Sequence, residues 1–336
     1  MVQTEVVKAI SLVSGGLDSL LATKLILEQK IEIEGVYFSS VFYSLKHSNS
    51  SLSSLITCEL EIPLKILDIS SELLEIVKVP KYGYGKNLNP CLDCRILMLK
   101  KAYQYMKERG GKFLITGEVV GERPFSQRRK ALSFIDKDSG LESLVLRPLS
   151  AKLLKPTLAE ERGWVDRSSL LDLKGRSRKI QFSLAKELGL KNYLTPAGGC
   201  LLADIGFSQR MKDLFRYNPD FNLKEVKLLK IGRHFRLTPQ AKLIIARNQE
   251  ECQSLKSLSE DGDLIFYPQN EKGPLGLGRG QFRKEDISLA SAILARYTDN
   301  KANSLKVIFK KSYSQQENFL ITPPLEEEIL TSLRIA

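Results

Sequence analysis

A short loop near the start of the sequence has residue types that bind phosphate. Residues 14–19 read Ser-Gly-Gly-Leu-Asp-Ser and follow the apolar run 6–13, which predicts a buried strand. The glycines Gly15 and Gly16 allow a phosphate to approach the backbone, and the N–H groups at the start of a following helix attract its negative charge. Ser14 and Ser19 can donate hydroxyl hydrogen bonds. Asp18 would repel a phosphate, so we predict that it contacts an intervening Mg²⁺ ion.

Three of the five cysteines form a second candidate site. Cys91 and Cys94 are separated by two residues at the start of a predicted helix, and Cys200 follows the turn-rich run 195–199. A helix N-terminus lowers the pKa of a thiol, so we expect reactive thiolates there. Three thiolates could hold a 4Fe–4S cluster with one open iron, carry sulfur as a persulfide, or bind zinc together with a fourth ligand. Inert buried thiols are the remaining interpretation.

The composition excludes several classes of protein. Five cysteines in 336 residues do not make a disulfide framework, and two histidines do not make a His-rich metal site. No apolar run approaches the ~18 residues that a membrane span needs, and residues 1–8 lack the core of a signal peptide. We therefore expect a cytoplasmic protein with no membrane partner.

The positive charge is concentrated in one part of the chain. The net charge is +12, and residues 123–191 hold 16 Lys and Arg against 8 Asp and Glu, a net of +8. Such a segment predicts a polyanionic partner, although a solvated basic face has the same composition. Phe125 and Trp164 could stack on an unpaired base or pack in the interior. The candidate phosphate contacts in this segment are Arg123, Arg128, Arg129, Lys130, Arg176, Arg178 and Lys179.

Strands and helices alternate along the first part of the chain, which predicts an α/β domain with an open parallel sheet. The Ser-rich segment 39–54 is predicted to be a connection. After residue 218 the pattern changes, so we predict a first domain at 1–218 and a smaller α+β domain at 219–336. Predicted strands of the first domain are 6–13, 31–38, 64–69, 112–116 and 144–149, with helices at 18–30, 92–109 and 179–188. Predicted strands of the second domain are 226–236, 242–246, 264–267 and 305–309, with helices at 249–258 and 285–297 and a flexible loop at 276–280.

Two motifs of the first domain resemble known nucleotide sites. The run 14–19 resembles the PP-loop of the ATP pyrophosphatase superfamily, whose HUP-like domains adenylate a carbonyl oxygen and release pyrophosphate. Thr116, Gly117 and Glu118, followed by Gln127, resemble a second segment of the tRNA 4-thiouridine synthetases. The resemblance implies an ATP site formed by Ser14, Gly15, Gly16, Asp18, Ser19, Tyr37, Phe38, Thr116, Gly117, Glu118 and Gln127.

The cysteine pattern resembles two kinds of tRNA-thiolating enzyme. Cluster-dependent tRNA thiolases combine one pair of cysteines, two residues apart, with a distant third cysteine. That resemblance implies that Cys91, Cys94 and Cys200 hold a 4Fe–4S cluster and, with Asp18, are the catalytic residues. The tRNA 2-thiouridylases instead use a cysteine persulfide. A persulfide mechanism of the 4-thiouridine type needs only one cysteine where this sequence has a pair.

The second domain resembles the RNA-binding domain of NFACT proteins. The matching segments are residues 230–236 (Lys-Ile-Gly-Arg-His-Phe-Arg) and 242–248 (Lys-Leu-Ile-Ile-Ala-Arg-Asn). The resemblance implies an RNA contact at Arg233. A dimerisation or packing module, and thus a homodimer, is the alternative for this domain.

Together these resemblances imply a tRNA sulfurtransferase that uses ATP to thiolate a uridine, releasing AMP and pyrophosphate. The implied cofactors are ATP, Mg²⁺ and a 4Fe–4S cluster. The implied partners are tRNA and a sulfur donor, either free sulfide or a sulfur carrier supplied by a cysteine desulfurase. Two alternatives stay open: an RNA-binding protein with a non-catalytic nucleotide fold, and a PP-loop ligase or amidase that acts on a small molecule.

Overall fold

The computed structural model describes residues 7–43, 49–194, 199–269, 272–299 and 303–335. It divides into two compact units, Met1–Leu201 and Leu202–Ala336. The sequence places the boundary later, at 218/219. The difference arises because the helix at residues 205–217 packs within the second unit, where its Asp213 forms ion pairs with Arg236 and Lys242. None of the helices in the described ranges is long and apolar enough to span a membrane.

The first unit is built on a five-stranded parallel sheet. In chain order the elements are β1 (Lys8–Leu12), α1 (Leu17–Leu27), β2 (Glu32–Ser39), α2 (Asn49–Leu60), β3 (Leu64–Asp68), α3 (Ser70–Lys78), α4 (Cys91–Glu108), β4 (Phe113–Thr116), α5 (Arg129–Ser139), β5 (Val145–Leu146), α6 (Leu158–Glu161) and α7 (Lys179–Glu187). Residues 151–153 and 167–169 form short 3₁₀ turns. The strand order in the sheet is β3-β2-β1-β4-β5.

The strand order decides where a ligand can bind. β1 lies between β2 and β4, so the chain leaves β1 toward one side of the sheet and returns on its other side at β4. In open α/β sheets the crevice for a ligand lies beyond the carboxyl ends of the strands at such a switch point. The loop after β1 and the segment after β4 therefore meet at one place.

The second unit is built on a seven-stranded antiparallel sheet. In chain order the elements are α8 (Ile205–Tyr217), α9 (Leu223–Leu228), β6 (Arg233–Thr238), β7 (Ala241–Ile245), α10 (Gln249–Leu258), β8 (Leu264–Pro268), β9 (Gly276–Gly280), α11 (Lys284–Arg296), β10 (Leu305–Lys311), β11 (Asn318–Thr322), α12 (Glu327–Leu333) and β12 (Arg334–Ile335). The strand order in the sheet is β11-β10-β8-β9-β7-β6-β12. Phe235, Leu243 and Ile245 pack with α11 on one face, and Ile244 packs with Leu228 on the other.

The predicted fold class is confirmed, with three local corrections. The Ser-rich connection ends in helix α2, and part of it, residues 44–48, lies outside the described residues. The predicted strand 226–236 is a helix followed by a strand, because Asn222 and Glu225 form a capping box that begins α9. The predicted flexible loop 276–280 is strand β9, which pairs with β7 and β8 and whose Gly276 and Gly278 lie close to the side chain of Phe266.

Phe113 provides a test of how the first unit is stabilised. It is fully buried in β4, and its ring stacks on Trp164 with the ring centroids 6.4 Å apart. We expect Phe113→Ala to lower the free energy of unfolding of this unit by about 3–5 kcal/mol, because a cavity is left in a packed core. Urea unfolding followed by the fluorescence of Trp164, the single tryptophan of the chain, measures this unit directly.

The matched control is Phe182→Ala, a phenylalanine whose side chain is 49% exposed in the same unit. Its removal should change stability by less than about 1 kcal/mol, in the range of ordinary surface substitutions. Equal effects of the two substitutions would contradict a core centred on β4.

Candidate active site

One cavity of about 390 Å³ lies at the carboxyl ends of β1 and β4. It brings together most of the candidate residues of the first unit, although they come from distant parts of the sequence. The predicted ATP-binding residues that line it are Ser14, Gly16, Asp18, Ser19, Tyr37, Phe38, Thr116, Gly117, Glu118 and Gln127. All three cysteines of the second candidate site line it too, as do the predicted RNA contacts Arg123 and Arg178.

The loop between β1 and α1 is held by its own serines. The hydroxyl of Ser19 donates to the Gly16 carbonyl at 2.8 Å and accepts from the Ser14 N–H at 3.1 Å. Gly15 has a φ of +73°, and a Cβ there would lie 2.5 Å from the Leu52 side chain, so glycine is required. In this part of the described chain no side chain caps the start of α1. The first N–H groups of the helix are therefore available to an anion.

Gly117 is required by a close approach between two backbones. A Cβ at this position would lie 2.5 Å from the Asp18 carbonyl and from the Ser19 N–H nitrogen. The end of β4 thus lies directly against the first turn of α1. This contact explains how two motifs that are about 100 residues apart in sequence form one wall of the cavity.

Asp18 has one oxygen that is paired and one that is not. Its Oδ2 accepts a hydrogen bond from Arg178 at 2.9 Å, and its buried Oδ1 accepts none from the residues that the structure describes. Burial and the charge of Glu122 raise the pKa of Asp18 more than Arg178 lowers it. A buried carboxylate oxygen of this kind is the hard ligand that Mg²⁺ prefers, so the site fits that ion.

Arg178 does not behave as an exposed contact for RNA. Its side chain is 17% exposed and forms ion pairs with both Asp18 and Glu122 inside the cavity. The sequence grouped it with the exposed basic residues because composition cannot tell a paired arginine from a free one. It fixes the orientation of Asp18 at the end of the loop.

Glu118 is a fully buried carboxylate with two arginine partners. Its Oε2 accepts hydrogen bonds from Arg147 Nε at 2.9 Å and Thr116 Oγ1 at 3.1 Å, and its Oε1 lies 3.1 Å from Arg95 Nε. Burial alone would raise the pKa of Glu118. The charges of Arg95 and Arg147 outweigh burial, so the pKa lies below its ordinary value. Arg147 also binds Asp136 with two hydrogen bonds of 2.7 Å each. Glu118 therefore stays ionised and orders the wall of the cavity.

Sequence reasoning missed Arg95, and it counted Arg147 only among the basic residues of segment 123–191. Arg147 interrupts an apolar run, residues 144–149, and a charge inside a buried strand is a signal that it has a buried partner. Arg95 follows Cys94 directly, so it stands beside the thiols on the first turn of α4 and lines the cavity. Its position next to a cysteine pair is the sequence signal that could have identified it.

The cysteines differ from the expectation in one respect. Burial raises the pKa of Cys91 and raises that of Cys94 to about 11, although Arg95 and, for Cys91, Arg123 act in the opposite direction. The prediction of lowered thiol pKa values was wrong because loss of solvent outweighs the helix N-terminus and the nearby cations. The Cys94 thiol lies 3.9 Å from the Met98 sulfur.

Cys200 reaches the same cavity through a backbone bridge. It pairs with Tyr43 in an isolated antiparallel bridge, and Tyr43 also lines the cavity. Burial and the charges of Cys94 and Cys200 raise the pKa of Tyr43 well above its ordinary value, so its hydroxyl is neutral. Residues 195–198, which precede this bridge in the sequence, lie outside the described residues. Tyr43 gave no signal in the sequence.

The donor set fits a cluster in its chemistry, since three thiols line one cavity. Across the described ranges, no three His, Cys, Asp or Glu side chains converge closely enough to hold a single metal ion. Each thiolate of a cluster binds its own iron atom, so a cluster does not require its thiolates to converge on one point.

The remaining candidates are distributed over both units. Trp164 packs in the core of the first unit, whereas the Phe125 side chain is 39% exposed. Arg233 belongs to the second unit, where its guanidinium lies 4.6 Å from the centre of the Tyr297 ring. Basic side chains exposed on the first unit include Arg128, Arg129, Lys130, Arg176 and Lys179.

The raised thiol pKa values predict slow alkylation. We expect iodoacetamide to modify Cys94 of the metal-free protein at least about tenfold more slowly than the exposed Cys58 at pH 8, because burial and a pKa of about 11 both limit the thiolate. The rate at Cys94 should still be rising with pH above pH 10. Peptide mass spectrometry after timed alkylation measures each site separately. Equal rates at the two cysteines would show that Cys94 is an accessible thiolate.

Two family models match this chain. Residues 4–153 match the model described as thiamine biosynthesis protein (ThiI), and residues 232–333 match the NFACT protein RNA binding domain. A probable tRNA sulfurtransferase of Halothermothrix orenii is 29% identical over 178 residues, which cover 48% of this chain and 41% of that protein. The chain thus spans less than half the length of this relative.

Two solved structures match this chain with lower sequence identity and with TM-scores below 0.4. A 4-thiouridine synthetase in complex with RNA and ATP shares 23% identity, with a TM-score of 0.34, 55% of this chain covered and 51% of that one. The tRNA thiolase NcsA of Methanococcus maripaludis with its 4Fe–4S cluster shares 16% identity, with a TM-score of 0.35, 68% of this chain covered and 73% of that one. The first unit is thus similar to the ThiI family, and the second unit is similar to the NFACT RNA binding domain.

Proposed function

We propose that this protein is an ATP-dependent tRNA sulfurtransferase that thiolates a uridine. The observation that carries the proposal is the shared cavity, in which the phosphate-binding loop and three cysteines line one space. A base that has been activated by ATP must meet its sulfur source before water attacks it, so both chemistries have to be in one enclosed place. A non-catalytic nucleotide fold has no need for this combination.

The ATP phosphates would bind at the start of α1. Ser14 supplies a hydroxyl donor, Ser19 holds the loop in shape through the Gly16 carbonyl, and the uncapped N–H groups of the helix attract the phosphate charge. Tyr37 and Phe38, at the end of β2, line the same cavity and would contact the adenine. Asp18 would hold Mg²⁺ through its free Oδ1, and the ion would neutralise charge on the phosphates.

The proposed reaction has two steps. The carbonyl oxygen of the uridine attacks the α-phosphorus of ATP, so that an oxygen–phosphorus bond forms and the bond to the leaving pyrophosphate breaks. Sulfur then attacks the activated carbon, the carbon–oxygen bond breaks, and AMP leaves. In both steps the residues of this chain orient the substrates and stabilise developing negative charge, with Arg123 and Arg178 as the cations that line the cavity.

The cysteines would deliver the sulfur. When bound, a 4Fe–4S cluster with one open iron supplies a position for a sulfide ion. The third thiol at this cavity supports a cluster over a persulfide route, in which one cysteine carries the sulfur and a second resolves the disulfide. Free sulfide or a sulfur carrier loaded by a cysteine desulfurase would be the donor.

The RNA would be held by both units. The exposed basic residues of α5, of the segment before α7 and of α7 itself offer phosphate contacts without sequence preference. The second unit contributes its NFACT-type domain, in which Arg233 is the contact expected from the sequence. The excess of positive charge, +12 over the chain, favours a polyanion such as tRNA over a small acid or amide.

Asp18 gives a direct test of the adenylation step. We expect Asp18→Asn to lower the rate of tRNA-dependent pyrophosphate release from ATP by about 100-fold or more, because the carboxylate that holds Mg²⁺ is lost. The exposed Asp172→Asn is the matched control and should keep the wild-type rate. Pyrophosphate release that needs no tRNA would favour a ligase that acts on a small molecule. If cluster-reconstituted protein releases no pyrophosphate even with tRNA, the proposed enzyme activity is wrong.

The cysteines give a separate test of the cluster. Anaerobically purified protein should be brown, and Cys91→Ala, Cys94→Ala and Cys200→Ala should each remove the visible absorbance. Cys58→Ala and Cys252→Ala should leave it unchanged, because neither residue lines the cavity. A colourless protein with stoichiometric zinc would contradict the cluster. Mass spectrometry of nucleosides from tRNA treated with the reconstituted protein identifies the thiolated base.

A further inference from the structure

The second unit contains a cavity of its own, about 490 Å³ in volume. It lies over strands β6, β7 and β9, with residues of α8 and α9 also lining it. Its size is within the range of small-molecule sites, about 300–1,000 Å³. No residue of the candidate active site contributes to it, so its chemistry has to be explained separately.

Three cations form a row across the floor of this cavity. In the antiparallel ladder Arg236 lies opposite Lys242, and Lys242 lies opposite Arg279, so the three side chains project from neighbouring strands on one face. Like charges directly opposite each other on a sheet destabilise it. A row of this kind therefore requires anions close by.

The carboxylates neutralise this row unequally. Arg279 is surrounded by acids, with Asp263 at 2.6 Å and Glu260 and Glu225 at 3.3 and 3.4 Å. Arg236 and Lys242 share the single carboxylate of Asp213, at 2.7 and 3.1 Å. The Arg279 end of the row is saturated with negative charge, whereas the other end, formed by Arg236 and Lys242, has two cations for one anion.

A further cation stands on the wall next to this unbalanced end. The guanidinium groups of Arg236 and Arg216 lie 4.6 and 5.2 Å from the centre of the Tyr217 ring. The ring therefore orients both planar groups, and Arg216, which is exposed, adds a charge that has no ion-pair partner among the described residues. Planar guanidinium groups held in this way are suited to binding the oxygens of a phosphate.

The protonation of Lys242 reflects the same imbalance. Burial lowers the pKa of Lys242 to about 8; Asp213 raises it, and Arg236 and Arg210 lower it further. The buried ammonium group is thus held with too little negative charge around it. A bound dianion would supply the missing charge.

We propose that this cavity binds the phosphate group of a nucleotide, through Arg216, Arg236 and Lys242, and that the nucleotide belongs to RNA. The choice of RNA rests on the proposed function, whereas the phosphate site itself rests only on the geometry of this unit. The site is separate from Arg233, the residue that the sequence suggests for RNA contact, which stacks on Tyr297.

Binding of a tRNA transcript to the full-length chain at several salt concentrations tests the proposal. Arg216→Ala and Lys242→Gln should each reduce the slope of log affinity against log salt by about one. At 0.1 M salt the loss of one phosphate contact corresponds to about 5- to 8-fold weaker binding. Arg216 is exposed, so its substitution leaves the fold intact even where the buried Lys242→Gln does not.

Lys284→Ala is the matched control, since it removes one exposed positive charge at the start of α11, whose core residues pack on the opposite face of the sheet. It should leave the slope nearly unchanged. Uridine monophosphate, measured by calorimetry, distinguishes the source of the phosphate. Loss of its binding in Arg216→Ala with unchanged tRNA binding would overturn RNA as the source.

Wild-type affinity for both probes in Arg216→Ala and Lys242→Gln would overturn the site itself. Pyrophosphate release by the same proteins keeps the two proposals apart. A wild-type protein that releases no pyrophosphate but shows the Arg216 effect on tRNA binding would refute the proposed reaction and leave the phosphate site standing.

Discussion

The buried carboxylate of Glu118 constrains the whole first unit. A charge with no access to water is tolerated only where cations replace the lost solvation, and here Arg147 and Arg95 do so from two directions. Arg147 follows β5 and is fixed in turn by Asp136 of α5. Arg95 lies on the first turn of α4, beside Cys94. One carboxylate thereby connects the end of β4 to the helix that carries the cysteine pair.

That connection explains why the two chemical parts of the cavity are next to each other. Gly117 lies against the backbone of Asp18, and the adjacent Glu118 holds the arginine that follows Cys94. The loop 14–19 and the cysteines are therefore positioned by two consecutive residues of one segment. Removing the charge of Glu118 would leave the buried Arg147 with one partner fewer, which costs more than the ion pair itself contributes.

Sequence patterns predicted the parts of the fold that depend on local periodicity. Strands β1 and β4 are mostly apolar because both faces of each strand are covered, and such short runs are easy to recognise. Helix α2 was missed because its serine-rich sequence has low apolar content. Strand β9 was missed because Gly-Leu-Gly-Arg-Gly has the composition of a loop, and only its neighbours β7 and β8 make it a strand.

The candidate site was predicted less evenly. The sequence placed the loop 14–19 after one strand and the segment 116–118 at the end of another, and the resemblance to the tRNA 4-thiouridine synthetases joined the two in one site. The carboxyl ends of parallel strands share one edge of the sheet, so this placement agrees with the fold. The ion pairs could not be predicted from the sequence. Arg178, for example, pairs with Asp18 and Glu122, which are far from it along the chain. The sequence also does not show which side chains are buried. Burial affects the pKa of Cys94 more than its position at the start of a helix does.

The same limit applies to the charge of the whole chain. The segment 123–191 has an excess of eight positive charges, yet Arg147, Arg167 and Arg178 form ion pairs within the unit. The cations that count for recognition are those whose nearby carboxylates are too few. By that criterion Arg216 and Lys242, outside the basic segment, are as significant as Arg128 or Arg129 within it. The ratio of cations to carboxylates at each position, which only the folded chain defines, therefore says more about an anionic partner than net charge does.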